Sequence, residues 1–119
     1  MKKIVLLTAI ALGLAANFSA RTAQAQEAPR RIEIVSSKYA YAPNEITVKK
    51  GETVTIVLKS ADVQHGIEFK ELHFTLNVAK GATGEMNLTP DQIGDFVGIC
   101  SKFCGLGHNS MKMTIHVIP

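Results

Sequence analysis

The sequence has no tryptophan, only two cysteines, no cluster of carboxylates and no internal repeat or low-complexity tract. Hard cations need several oxygen donors brought together, so the scattered Asp and Glu residues exclude a dedicated calcium or magnesium site. No segment after Ala25 keeps a helical period, which excludes an α-helical domain. The longest apolar run, Ile4 to Ala16, has 13 residues, short of the roughly 20 that span a bilayer. Nor is there a surplus of charge once the N-terminus is set aside. Lys2, Lys3 and Arg21 carry the whole formal excess of +3, leaving ten basic against ten acidic residues. The balance argues against a nucleic-acid or anionic-membrane partner.

What is present at the N-terminus reads as an address. Lys2 and Lys3, the apolar run and the small residues of Ala23-Gln24-Ala25 form a secretory signal, with cleavage expected after Ala25 and no integral anchor remaining. Residues 26–31 are expected to be a flexible lead-in and residues 32–119 one small domain with one core. Export places the product in the periplasm or outside the cell. Two cysteines in such an oxidising compartment form a disulfide by default, and any metal reading has to displace that one.

Within the domain the patterning has period two. Ile32 and Ile34 alternate with Glu33 and lead to Tyr39 and Tyr41; Ile46 and Val48 alternate with Thr47 and Lys49. Val54, Ile56 and Leu58 alternate with Thr55, Val57 and Lys59, and Met111, Met113, Ile115 and Val117 with Lys112, Thr114, His116 and Ile118. Leu72, Phe74, Leu76 and Val78 form a further apolar row. With Gly51, Pro43-Asn44, Gly81, Gly84 and Pro90-Asp91 supplying turns, six to eight short strands predict an all-β sandwich of two antiparallel sheets.

Chemistry concentrates in Gly98-Ile99-Cys100-Ser101-Lys102-Phe103-Cys104-Gly105-Leu106-Gly107-His108-Asn109-Ser110-Met111. Two thiols, an imidazole and a thioether fall within 12 residues of one interstrand connection, and Gly105 and Gly107 let it fold tightly. Sulfur and nitrogen donors suit a soft metal, and the thioether favours copper. Zinc on Cys100, Cys104 and His108 stays open, although it leaves Met111 without a role. His65, in Asp62-Val63-Gln64-His65-Gly66, is expected at a strand end on the same side of the sandwich. His73 and His116, out of phase with the apolar rows, are expected at the surface; Met86 and Met113 are read as filler. Cys-His nucleophilic catalysis lacks a third orienting group.

The spacing CxxxCGxxHxxM, with the upstream Asp-Val-x-His-Gly, resembles the copper-A domain of cytochrome c oxidase subunit II and of nitrous oxide reductase over roughly residues 55–118. The resemblance implies a cupredoxin-like Greek-key sandwich and a binuclear copper centre. Cys100 and Cys104 would bridge two copper ions, His65 and His108 would each cap one, and Met111 and the backbone carbonyl of Lys102 would be weak ligands. A single-copper blue site needs one cysteine, and here there are two. The implied function is that of a soluble one-electron carrier, a binding module and not an enzyme. It would be a monomer exchanging electrons with a redox partner such as a cytochrome or a respiratory oxidase or reductase. A periplasmic Cu(I) chaperone or storage protein and a dissociable copper subunit of a terminal oxidase are the alternatives. Two departures stand out: Lys102 replaces a common Glu, and the Trp-bearing segment through which oxidase subunits receive electrons is missing.

Overall fold

The computed structural model describes residues 28–119; the signal segment and cleavage point lie outside the described residues. Nine strands follow one another: β1 (Arg30–Ser37), β2 (Ala40–Ala42), β3 (Glu45–Lys49), β4 (Val54–Ser60), β5 (His65–Phe69), β6 (Phe74–Val78), β7 (Thr83–Leu88), β8 (Gly94–Ile99) and β9 (Lys112–Ile118). Two single 3₁₀ turns, Lys70–Leu72 and His108–Ser110, interrupt them. The strands form a four-stranded sheet in the order β2-β1-β4-β7 and a five-stranded sheet in the order β3-β9-β8-β5-β6. The expected two-sheet sandwich is therefore present.

Its details depart from the sequence reading in three places. Each sheet contains one parallel pair, β1 with β4 and β3 with β9, among otherwise antiparallel neighbours. Period-two alternation is the same in either orientation, so the sequence pattern is blind to it. Strand β1 starts at Arg30, inside the stretch read as flexible lead-in, because Arg30 and Arg31 pair with Val54 and Thr55 of β4. And His65 opens β5 instead of ending a strand.

Between the sheets, Ile34, Ile56, Leu58, Ile67, Phe69, Met113 and Ile115 are almost fully removed from water. Strand β4 is buried on both faces, Thr55 and Val57 included, although alternation placed those two outside. The reason is cross-strand cover. Arg31 of β1 reaches Glu85 of β7 at 2.6 Å and Glu33 of β1 meets Lys59 at 3.1 Å. Since Glu33, Val57 and Glu85 are register partners, both ion pairs flank Val57, and their aliphatic stems shield it while the charges stay wet. Thr55 satisfies its hydroxyl by donating to Asn87 Oδ1 at 2.7 Å.

On the outer face of the other sheet, His116 of β9 lies between Asp95 of β8 and Glu45 of β3, with contacts of 2.6 and 3.5 Å from its two ring nitrogens. Hydrogen bonding to Asp95 foremost, with Glu45 adding to it, raises its pKa above the ordinary histidine value. A base whose folded pKa is raised stabilises the fold fully below its unfolded pKa and loses that contribution as pH rises through the folded value. The difference in urea midpoint between the parent chain and His116→Gln should accordingly be largest between about pH 5 and 6.5 and vanish in alkali. A difference that stays the same from pH 5 into alkali would show that the pair contributes nothing electrostatic.

Candidate metal centre

Strand β8 ends at Ile99, and the chain then crosses the end of the sandwich as an open loop before β9 begins at Lys112. Alternation puts Gly98 inside and Ile99 outside, so the next residue, Cys100, turns back inward and is 3% exposed. Cys104 is 4% exposed, and both are free thiols with their sulfurs 3.4 Å apart. Met111, at the foot of β9, is fully buried and its Sδ lies 3.5 Å from Cys104 Sγ. The His108–Ser110 turn carries His108 to the rim, with Nδ1 3.6 Å from the same sulfur. The thiol of Cys100 points at the carbonyl oxygen of Lys102, 3.0 Å away.

His65 completes the group from another strand. Its side chain has no exposed surface, and its donor nitrogen and the two thiol sulfurs all lie within 4.8 Å of one another. Nε2 meets Asp62 Oδ1 at 2.6 Å. Nδ1, equally buried, has no hydrogen-bond partner. Such orphans are rare, because an unpaired buried polar atom costs about 1–3 kcal/mol. With Nε2–H donating to a carboxylate, Nδ1 carries the lone pair that a metal would use.

All six sequence-predicted groups are thus brought to one end of the sandwich, and His73 and His116 are left out of it. His73 caps a 3₁₀ turn at φ 51° on the exposed surface. The donor set of two thiols, two imidazole nitrogens, a thioether and a carbonyl fits copper. Burial, and then the neighbouring Cys100, pushes the Cys104 thiol pKa up. A metal binding there must displace that proton.

Three contributors were not legible beforehand. Asp62 is one: although burial opposes its charge, the backbone amide of Lys38, the ring of His65 and the amide of Val63 all donate to it and hold its carboxyl down at about 2. Tyr41 is the second, a buried phenol that donates to the Gly66 carbonyl; burial, then proximity to Cys100, raises its pKa far above the ordinary value. Tyr39 is the third. Its side chain lies so close on the loop that a Cβ at Gly107 would sit 2.4 Å from the ring and one at Gly105 2.5 Å from the hydroxyl oxygen, and Gly105 also adopts φ +134°. The one sequence signal for these three was their position, Asp62 three residues before a histidine and two tyrosines spaced two apart.

Comparison with known proteins gives a consistent picture. The model of the cupredoxin-like domain family matches residues 7–117. A cytochrome c oxidase subunit 2 of Thermus thermophilus is 30% identical over 86 residues, covering 72% of this chain and 64% of the relative. A probable cytochrome c oxidase subunit 2 of Streptomyces avermitilis is 35% identical over 69 residues, 58% of this chain and 22% of its own length. The chain therefore spans less than two thirds of the curated relatives it matches. Among solved structures, the periplasmic domain of cytochrome oxidase subunit II of Bradyrhizobium japonicum superposes with a TM-score of 0.69 at 19% identity, over 77% of this chain and 86% of that one.

Met111 allows packing and ligation to be told apart. In the metal-free protein Met111→Leu conserves volume and should change stability by less than about 1.5 kcal/mol, whereas Met111→Ala should cost about 2–5 kcal/mol. Urea unfolding of both variants measures this, and equal losses would mean that the pocket is not packed around the thioether.

Proposed function

Since the chain belongs to the cupredoxin-like domain family, we propose that it is an exported one-electron carrier with a binuclear copper centre at the β8–β9 end of the sandwich. The single observation that carries this reading is the convergence of His65, Cys100 and Cys104 within 4.8 Å, with a buried, partnerless Nδ1 among them. In this reading Cys100, Cys104, His65 and His108 would hold the copper, with Met111 and the Lys102 carbonyl as weaker ligands. Bound copper supplies one-electron redox chemistry.

What the chain itself does is hold the donors still. His65 stands on β5, Cys100 follows β8 and Met111 leads into β9, three adjoining strands of one sheet. A framework that keeps the same donors at the same distances in both oxidation states lowers the reorganisation that each electron must drive. Burial of the sulfurs keeps water from them, and the protonatable groups next to the site, Asp62 and Tyr41, are each tied into hydrogen bonds.

The electron partner is a redox protein such as a cytochrome or a respiratory oxidase or reductase. The oxidase subunits among the relatives support a second reading, in which the chain is a dissociable copper subunit of a terminal oxidase. Co-purification with membranes after signal cleavage distinguishes the two.

Anaerobic reconstitution of residues 26–119 followed by partial oxidation should give two coppers per chain and electron paramagnetic resonance hyperfine structure from one electron shared by both nuclei. Cys100→Ser should abolish the coloured centre; full colour in that variant, or one spectroscopically silent Cu(I) per chain, would overturn the binuclear reading. Lys102 is exposed, so its cation acts through solvent. Lys102→Glu should lower the reduction potential by on the order of tens of millivolts, less at high salt, and an unchanged potential at low salt would remove Lys102 from any tuning role.

A further inference from the structure

The loop bearing Cys104 and His108 is held internally by a backbone bond at its base, Cys100 N–H to Met111 O, and by short-range bonds within residues 105–111, which fix its local turns but not its position over the sandwich. Phe103, Leu106, Asn109 and Ser110 are exposed, Leu106 at 99%, and its regular structure is one 3₁₀ turn. Fixing such a segment costs backbone entropy at every residue. A loop ordered only by a metal would take that cost out of the metal's affinity. Yet the donors already converge, so something else must order them.

Several contacts behind the site come from one short segment, the tip of the β1–β2 hairpin, while Ser101 Oγ donates separately to Asn77 Oδ1 of β6 at 2.6 Å. The Lys38 amide donates to Asp62 Oδ2 at 2.8 Å, and Asp62 Oδ1 accepts from His65 Nε2 at 2.6 Å. One residue on, the Tyr39 ring covers the backbone of Gly105 and Gly107, on either side of the most exposed side chain of the loop. Two residues further, the Tyr41 hydroxyl donates to the Gly66 carbonyl, immediately after His65. A fourth tie joins the halves directly, Gln64 Nε2 donating to the Phe103 carbonyl at 2.7 Å.

We propose that the tip of the β1–β2 hairpin is a clip that presets the donor site before metal arrives, with the Lys38 amide and Tyr39 of the turn and Tyr41 of β2 as its positioning groups. One hairpin thereby holds both halves of the site, the β5 histidine through Asp62 and Gly66, and the β8–β9 loop through the ring of Tyr39. Its purpose rests on the metal reading given above; its geometry does not. The glycines at 105 and 107 have a definite job in this arrangement, since any side chain there would expel the ring.

The test uses the mature chain, reduced and metal-free. Tyr39→Ala should speed hydrogen exchange of the 105–111 amides by about tenfold or more while leaving the β4 amides unchanged, and should weaken Cu(I) affinity by about tenfold or more, the scale of changes behind a ligand shell. Tyr39→Phe keeps the ring and should restore both. Asp62→Ala, read by ¹⁵N chemical shifts of the His65 ring in alkali, should convert a single Nε2–H tautomer into a mixture. Parental loop exchange and affinity in Tyr39→Ala would overturn the clip, as would equal acceleration in β4 or an unchanged His65 tautomer in Asp62→Ala. If the parent chain takes up no copper, the metal reading fails, while loop exchange and the tautomer still decide the clip.

Discussion

Burying an imidazole is costly unless both nitrogens find partners, and His65 has one partner and one orphan. This asymmetry organises the end of the sandwich. Asp62 is fixed by two backbone amides so that its carboxylate faces Nε2. The remaining nitrogen is left without a protein partner on a ring that sits within 4.8 Å of two buried thiols, where a soft cation would satisfy what the protein leaves open. Unpaired polar atoms in a core are a cost that persists where function retains it.

The sandwich provides the rigidity this needs. Strand β4, covered on one side by the other sheet and on the other by the Arg31–Glu85 and Glu33–Lys59 pairs, is the best-shielded element of the chain. Those surface pairs are individually weak, but they let a double-sided apolar strand sit at the middle of a sheet whose outer face meets water. In the interior of the five-stranded sheet, β8 and β9 lie side by side, so the two ends of the donor loop leave and return one strand apart.

Much of this was legible in the sequence, and the limits are instructive. Donor identity and spacing in residues 100–111 were enough to assemble the loop's ligands, because side chains four and three positions apart need only a tight turn to meet. His65 was placed by its distance along the chain and by family likeness, yet its position at the start of β5 was missed because strand limits depend on partners. Strand direction left no trace, since β1 beside β4 alternates identically whether parallel or antiparallel. Thr55 and Val57 were assigned to solvent because the ion pairs that shield them join residues 54 and 26 positions apart. Asp62, Tyr39 and Tyr41 looked ordinary for the same reason: one aspartate in a turn and two tyrosines in phase acquire meaning only from what lies across from them.

The separation of the donors along the chain has a bearing on the unfolded state. Cys100, Cys104, His108 and Met111 lie within twelve residues, whereas His65 and its support at Lys38 arrive from elsewhere. A denatured chain keeps the first four within reach of one ion, so a soft cation would have some affinity for the unfolded form too, and ligand linkage would credit the fold only with the difference between the two affinities. That difference comes from the histidine on β5 and from the hairpin behind it. A hairpin that holds the donors in place therefore widens the gap between native and denatured affinity, and only that gap lets a bound ion count toward the stability of the fold.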